Sequence, residues 1–341
     1  MPPMRGHSGR ILATVLALGV GAATLAGCGG SDELTVYSGR TPNLIGPLLD
    51  QFADETGVGI HVHYENSSQD LALLIEEEGD ASEADVVISQ SPGAVGYLDA
   101  QGRLAELPDD VVDLVAEGDA AADNTWVGLS GRVRTLVYNT DEVDPATLPD
   151  SVLDLADEQY AGQVAVAPTN ASFQDFVTVL RSQIGDDEAG EWLGAIADGD
   201  PPTYPNNSAV VEAVGRGEVP MGLVNHYYAF RARDADPDLP VENHFFAEGD
   251  YGSTLLVTAA SIVEGTNQSD DAERLVEFLL AADAQQYFSE ETFEYPLAEG
   301  AEPHPDLPPL ADIETTRVDL GELGEGLEAT TDLIDESGLN G

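Results

Sequence analysis

The sequence predicts an α/β protein organised as two domains. Extended and helical segments alternate through the first third of the chain, and a second unit of the same kind starts near Gln163. The roughly 310 residues that follow an N-terminal leader also exceed what one hydrophobic core usually spans. A hydrophobic content of 42% with regular apolar patterning argues for packed cores and against disorder, in spite of the charge.

Residues 1–27 read as a secretory leader, with Arg5 and Arg10 ahead of an apolar, small-residue-rich run over 11–25. Leu25-Ala26-Gly27-Cys28 resembles a bacterial lipobox, in which the cysteine becomes the lipid-modified first residue. Cys28 is the only cysteine, so neither an internal disulfide nor a thiolate metal site can form. An apolar run of about 15 residues is short for a membrane span, which favours a lipid anchor.

Leu34-Thr35-Val36-Tyr37 is a short strand stopped by Ser38-Gly39. Residues 43–55 follow helical period, with Leu44, Leu48, Leu49 and Phe52 on one face and Gly57 as the stop. Residues 59–64 alternate like a strand, and Ser67 or Ser68 caps a helix reaching Glu78. Ala84-Asp85-Val86-Val87-Ile88-Ser89 is continuously apolar and β-branched, as in a strand buried on both faces. Ligands of such sheets bind beyond the carboxyl ends of the strands, so the loops after Tyr37 and Ser89 are candidate contacts. Trp126-Val127-Gly128-Leu129 and Thr135-Leu136-Val137-Tyr138 flank Ser130-Gly131-Arg132-Val133-Arg134, read as strand passing from one domain into the other. Residues 163–167 open the second unit. Helices follow the polar turns Pro168-Thr169-Asn170-Ala171-Ser172 and Pro205-Asn206-Asn207-Ser208. Strands are expected over 219–224 and 255–262, one helix over 272–288, and a last helix from about Leu310.

Charge excludes one class of partner. Twelve Lys+Arg face 64 Asp+Glu, a formal net charge of −52, and every basic residue is arginine. Such a surface repels nucleic acid. It suits life at high salt or high pH, where screening weakens self-repulsion. No nucleophile motif or phosphate loop supports an enzyme.

The chemistry concentrates at Val224-Asn225-His226-Tyr227-Tyr228, where two adjacent phenols follow a strand. Phenolate is a hard anionic donor suited to a hard trivalent cation such as Fe(III), whose charge favours ionised tyrosine. The alternative reading is a half-buried aromatic pair with satisfied hydroxyls. Each of the two polar turns offers helix N-terminal N–H groups, either as an anion seat or as simple capping. His61 and His63 share a strand face but lack further ligands at metal spacing, and Glu76-Glu77-Glu78 reads as a solvated helix end. His226 and His244 read as supporting or surface groups.

These residues resemble the ferric-ion-binding proteins of bacterial ABC importers, which have the two-lobed type II periplasmic binding protein fold. The likeness rests on Thr35-Val36-Tyr37-Ser38-Gly39-Arg40, Ala84-Asp85-Val86, Leu129-Ser130-Gly131-Arg132, Val137-Tyr138-Asn139-Thr140, Pro168-Thr169, Asn225-His226-Tyr227-Tyr228 and Glu294-Tyr295-Pro296-Leu297. It implies mixed sheets flanked by helices in each lobe, joined by two hinge strands. Residues 31–133 and 258–310 would form one lobe, and 134–257 and 311–341 the other. It further implies Tyr227 and Tyr228 as iron ligands, and a synergistic anion held by Asn170, Ala171, Asn207 and Asn225.

The chain departs from that pattern at three positions. Thr41 stands where many members place a histidine ligand, Gln90 where they place a glutamate, and Asn170 where others place a tyrosine. Gln90 and Thr41 remain candidate ligands. Two phenolates leave one charge of Fe(III) uncompensated, so carbonate, phosphate or hydroxide is expected to supply it, with Arg40, Arg132 and Arg134 as candidate anion clamps or as ordinary ion-pair partners. The expected protein is a monomeric, lipid-anchored, extracytoplasmic ferric receptor serving an ABC permease. The rival expectation is a binding protein of the same fold for an anionic organic solute or a polyamine.

Overall fold

The computed structural model describes residues 33–340 apart from 66, 117, 248 and 314–319. The leader and Cys28 lie outside the described residues. β1 (Leu34–Ser38) leads into α1 (Pro42–Thr56), which starts with proline in its first turn and buries Leu44, Ile45, Leu48, Leu49 and Phe52. Gly57 ends it at φ 74°, a left-handed conformation that glycine adopts without a Cβ penalty. β2 (Ile60–Tyr64), α2 (Ser68–Glu78), β3 (Val86–Ser89) and α3 (Pro92–Ala100) continue the alternation. The Ser67 side chain accepts from the Asp70 amide and so caps α2. The short β4 (Leu104–Ala105) and α4 (Asp109–Val112) precede β5 (Val127–Asn139), of which every residue is buried.

The second half contains β6 (Val164–Ala165), α5 (Ala171–Ile184), α6 (Asp186–Asp198), α7 (Asn207–Gly215), β7 (Met221–Asn225), α8 (Tyr227–Ala235) and β8 (Val241–His244). The chain then returns through β9 (Leu255–Val263) to α9 (Ser269–Leu280), α10 (Ala282–Glu290), β10 (Tyr295–Pro296), α11 (Leu310–Ile313) and α12 (Leu320–Ser337).

The strands follow the order β2-β1-β3-β9-β5-β7-β6, with β10 and β8 on β5 and β4 on β9. β1 runs parallel to β2 and β3, whereas β9 is antiparallel to β3 and β5. β5 joins the two halves. Its residues up to Val133 pair with β9, and from Arg134 onward it pairs with β7. One core gathers Leu34, Val36, Phe52, Ile88, Leu129, Leu275 and Phe288. Another gathers Leu136, Phe173, Phe176, Trp192, Leu223 and Ile334. This mixed, helix-flanked arrangement is the two-lobed fold expected.

Ser130 to Arg134 stay in the ladder of β5, in line with the strand read there. The helix expected in the return segment differs from the structure. The single helix expected over 272–288 breaks at Ala281, whose ψ of 155° is extended and which ends α9 and starts α10. Leu255 pairs with Val133, the last β5 residue before its ladder passes to β7. The C-terminal helix α12 packs on α3 and on α5 and α6. Its Leu323 joins the core that holds Leu98, and its Ile334 the core that holds Trp192. Among the described residues no helix is long and apolar enough to cross a membrane.

Candidate functional site

The apolar strand β7 ends at Asn225, and α8 starts two residues later. His226 makes this joint rigid. Its backbone N–H donates to the Val133 carbonyl at 2.9 Å, its ring Nδ1 accepts from the Val133 amide at 3.0 Å, and Nε2 donates to the Phe293 carbonyl at 2.7 Å. Burial pulls its pKa down to about 4, so the ring is neutral and occupied on both nitrogens. It therefore supports the site without offering a free lone pair to a metal.

Tyr227 and Tyr228 open α8 with their rings stacked at a centroid distance of 4.1 Å and 29° between planes. Tyr227 is fully buried, Tyr228 partly. The Tyr227 oxygen accepts from Gln90 Nε2 at 2.8 Å, which joins the loop after β3 to the start of α8. Burial first, then Tyr228 and Glu294, push the Tyr227 pKa well above 10 against the opposing charge of Arg132. The phenol is neutral until a strong cation displaces its proton.

Beside the pair sits a cluster of amides around one arginine. Asn170 caps α5, accepting at Oδ1 from the Ser172 amide at 3.2 Å and from the Ser172 hydroxyl at 2.7 Å. The same oxygen accepts from Asn207 Nδ2 at 3.2 Å. Asn206 caps α7 through the Ala209 amide at 2.9 Å, which frees Asn207 to face the cluster. Capping and side-chain convergence thus coexist at the first turn and are divided between neighbours at the second. Ala171 is the first residue of α5 and half-buried.

Arg134 Nη1 reaches Ser172 Oγ at 3.3 Å and the oxygens of Asn207 and Asn225 at 3.4 Å each. Its Nη2 donates to the Leu223 carbonyl at 3.0 Å, and its guanidinium lies 5.7 Å from the ring centres of Phe173 and Phe176. Desolvation lowers its pKa to about 9, opposed by Tyr228 and Asp175, so it stays charged at neutral pH. No carboxylate forms an ion pair with it among the described residues, and the buried Asn225 Nδ2 has no hydrogen-bond partner. A fixed positive charge beside an unspent buried donor fits a small oxyanion.

The other two arginines have different employment. Arg40 Nη2 pairs with Glu294 at 2.9 Å, both side chains fully buried, and its Nη1 donates to Thr258 at 2.6 Å. Burial raises the Glu294 pKa, but Arg40 and then Arg132 outweigh it, leaving the carboxyl below its usual range. Arg132 donates to Thr258 at 2.5 Å and also to the Gln90 carbonyl, so it fixes the backbone of the residue that reaches Tyr227. Only Arg134 stands within the amide cluster. Thr41 is exposed and bonded to Asn43 at 2.6 Å.

His63 bonds Glu65 at 2.9 Å, His61 is exposed, and His244 bonds the Pro149 carbonyl at 2.7 Å. Among the described residues no group of three or more His, Cys, Asp or Glu could hold a metal ion.

Sequence reading assigned no role to Glu294 or Asp175, although both are buried at charged junctions. Burial raises the Asp175 pKa to about 7, opposed by the Ser91 hydroxyl, Arg132, the Gly93 amide and Arg134. A carboxylate next to Phe173, Phe176 and Val177 was the available signal.

The family of bacterial extracellular solute-binding proteins matches residues 82–319. The chain is 27% identical over 332 residues to the Fe(3+)-binding periplasmic protein of Serratia marcescens, covering 96% of each. It is 29% identical over 311 residues to the major ferric iron-binding protein of Neisseria meningitidis, covering 90% of this chain and 93% of the other. Its fold superposes on iron-bound HitA from Pseudomonas aeruginosa with a TM-score of 0.85 and 29% identity, over 90% of this chain and 99% of that one.

Proposed function

This chain belongs to the bacterial extracellular solute-binding proteins, and on that premise we propose that its solute is ferric iron. The observation that carries the reading is the stacked Tyr227–Tyr228 pair beside the Arg134 amide cluster. Two phenolates neutralise two charges of Fe(III). Carbonate or phosphate, seated against Arg134, Asn170, Ala171, Asn207 and Asn225, supplies the remainder. Because ionising Tyr227 is costly in its buried setting, the metal has to displace its proton, and binding releases acid. The ferric iron-binding relatives support this reading.

Binding closes the halves about β5 and β9, since Gln90 comes from one half and Tyr227 from the other. The loaded receptor then meets the permease of an ABC importer as a monomer at the outer face of the cell membrane. Cys28 carries its lipid anchor after removal of residues 1–27. The acidic surface keeps it from nucleic acid.

A titration of metal-free protein with ferric citrate tests the assignment. A visible phenolate-to-iron absorption band is expected, and Tyr227→Phe with Tyr228→Phe abolishes both band and binding. Unchanged binding in the double variant overturns it.

Thr41 and Gln90 in place of stronger ligands favour a second reading, a receptor for an anionic organic solute or a polyamine. Thermal stabilisation by such a solute, with none by ferric salts, selects it.

A further inference from the structure

The loop between β3 and α3 touches the opposite half at two adjacent residues. Gln90 reaches Tyr227, and the Ser91 hydroxyl donates to Asp175 Oδ1 at 2.7 Å. Asp175 belongs to α5, across the division from Ser91. Ser91 is the N-cap residue of α3, yet its own side chain caps no amide of that helix. Its hydroxyl goes to Asp175 instead, so a carboxyl group from the second half holds the N-cap residue of a helix in the first half.

The approach is close. A Cβ added to Gly93 would lie 3.1 Å from Asp175 Oδ1, so a larger residue there would push the carboxyl group back by a few tenths of an ångström. Asp175 is 1% exposed, and its Oδ2 has no hydrogen-bond partner. The charged groups that influence it are Arg132 and Arg134, both on β5. Within the first half the loop is tied by the Ser68 hydroxyl, which accepts from the Gln90 amide at 3.0 Å, and by Gln69, which donates to Ser91 at 3.2 Å.

We infer that Asp175 is a positioning residue for the tyrosine site: by binding the N-cap residue of α3 across the cleft it holds residues 90–91 where Gln90 meets Tyr227. Loss of the clasp leaves the Gln90–Tyr227 bond without the neighbouring bond that braces it, and every ligand that needs the closed arrangement binds more weakly. This inference rests on the ferric reading for its cargo but not for its geometry.

The test combines a metal-free and a metal-dependent readout. In metal-free protein, Asp175→Ala is expected to speed hydrogen exchange of the amides of residues 93–95 at least tenfold, with more distant parts of α3 unchanged. In ferric citrate titrations the same variant loses at least tenfold in affinity. Asp175→Asn, which keeps an oxygen for the Ser91 hydroxyl, stays within about threefold of the parent. Ser91→Ala gives a smaller loss in the same direction and serves if Asp175→Ala fails to fold.

In a Gln90→Ala background the Asp175→Ala loss shrinks to under threefold, which a merely stabilising role would not produce. Unchanged exchange at 93–95, or an equal affinity loss with and without Gln90, overturns the clasp. Faster exchange in protein that shows no iron band in any form upholds the clasp and overturns the ferric reading instead.

Discussion

Gln90 donates from Nε2 to the Tyr227 hydroxyl oxygen across 2.8 Å, although 137 positions separate the two in the chain. On the proposed ferric reading, a carboxylate in place of this neutral amide supplies the negative charge that two phenolates leave wanting. Gln90→Glu is expected to raise ferric affinity by about tenfold, roughly 1.4 kcal/mol, and to move the iron band to shorter wavelength as the added donor weakens the metal as an acceptor. Competition against a calibrated chelator measures the first and absorption the second. Equal or weaker affinity counts against Gln90 facing the cargo.

Among the described residues, Arg134 is the only arginine placed among Asn170, Ser172, Asn207 and Asn225. Arg134→Gln keeps hydrogen-bonding capacity and removes the charge. Hydrogen bonds to charged groups contribute about 1.5–3 kcal/mol, so an anion effect of roughly ten- to a hundredfold should disappear. The comparison is ferric affinity with and without carbonate or phosphate in the buffer. Persistence of the full anion effect in the variant would move the anion elsewhere.

Arg40 and Glu294 form an ion pair with no exposed surface. Removing one partner strands the other charge, so Glu294→Ala should cost about 3–5 kcal/mol in urea denaturation. The double change Arg40→Met with Glu294→Leu should be less damaging than either single truncation, because no isolated charge remains. A small single-mutant effect would mean that water reaches the pair in solution.

Asp175 gives stability a definite pH dependence. Its pKa rises from 3.8 in the unfolded chain to about 7 in the fold, with burial as the leading cause. Between those values the folded protein holds a proton that the unfolded chain has lost. The contribution is therefore complete below about pH 4 and is lost as pH climbs through about 7, a difference of a few kcal/mol at about 1.4 kcal/mol per unit. Asp175→Asn removes it. Stability of parent minus variant should fall across that window in denaturant titrations, and a flat difference would contradict the raised value.

Local periodicity made most of the frame legible. The apolar run before Ser89 and the glycine stop after α1 state their structures within a few residues. The tyrosine pair was visible because strand and phenols are contiguous, and the asparagine turns because capping is a short-range signal. What escaped depends on distance. Glu294 is identified as a buried partner only once Arg40, 254 residues away, is brought against it. Asp175 looks like a polar residue on an amphipathic helix until the opposite half covers it. The break at Ala281 carries neither glycine nor proline, and the packing of α10 on β10 and β5 accompanies a turn that propensity does not announce.

The strand Val127–Asn139 belongs to both halves and is buried along its whole length. Neither core can lose its structure without stripping one edge of the other. Heating should consequently give one calorimetric peak in which the van't Hoff and measured enthalpies agree, and fragments cut at the crossing should melt far below the intact chain.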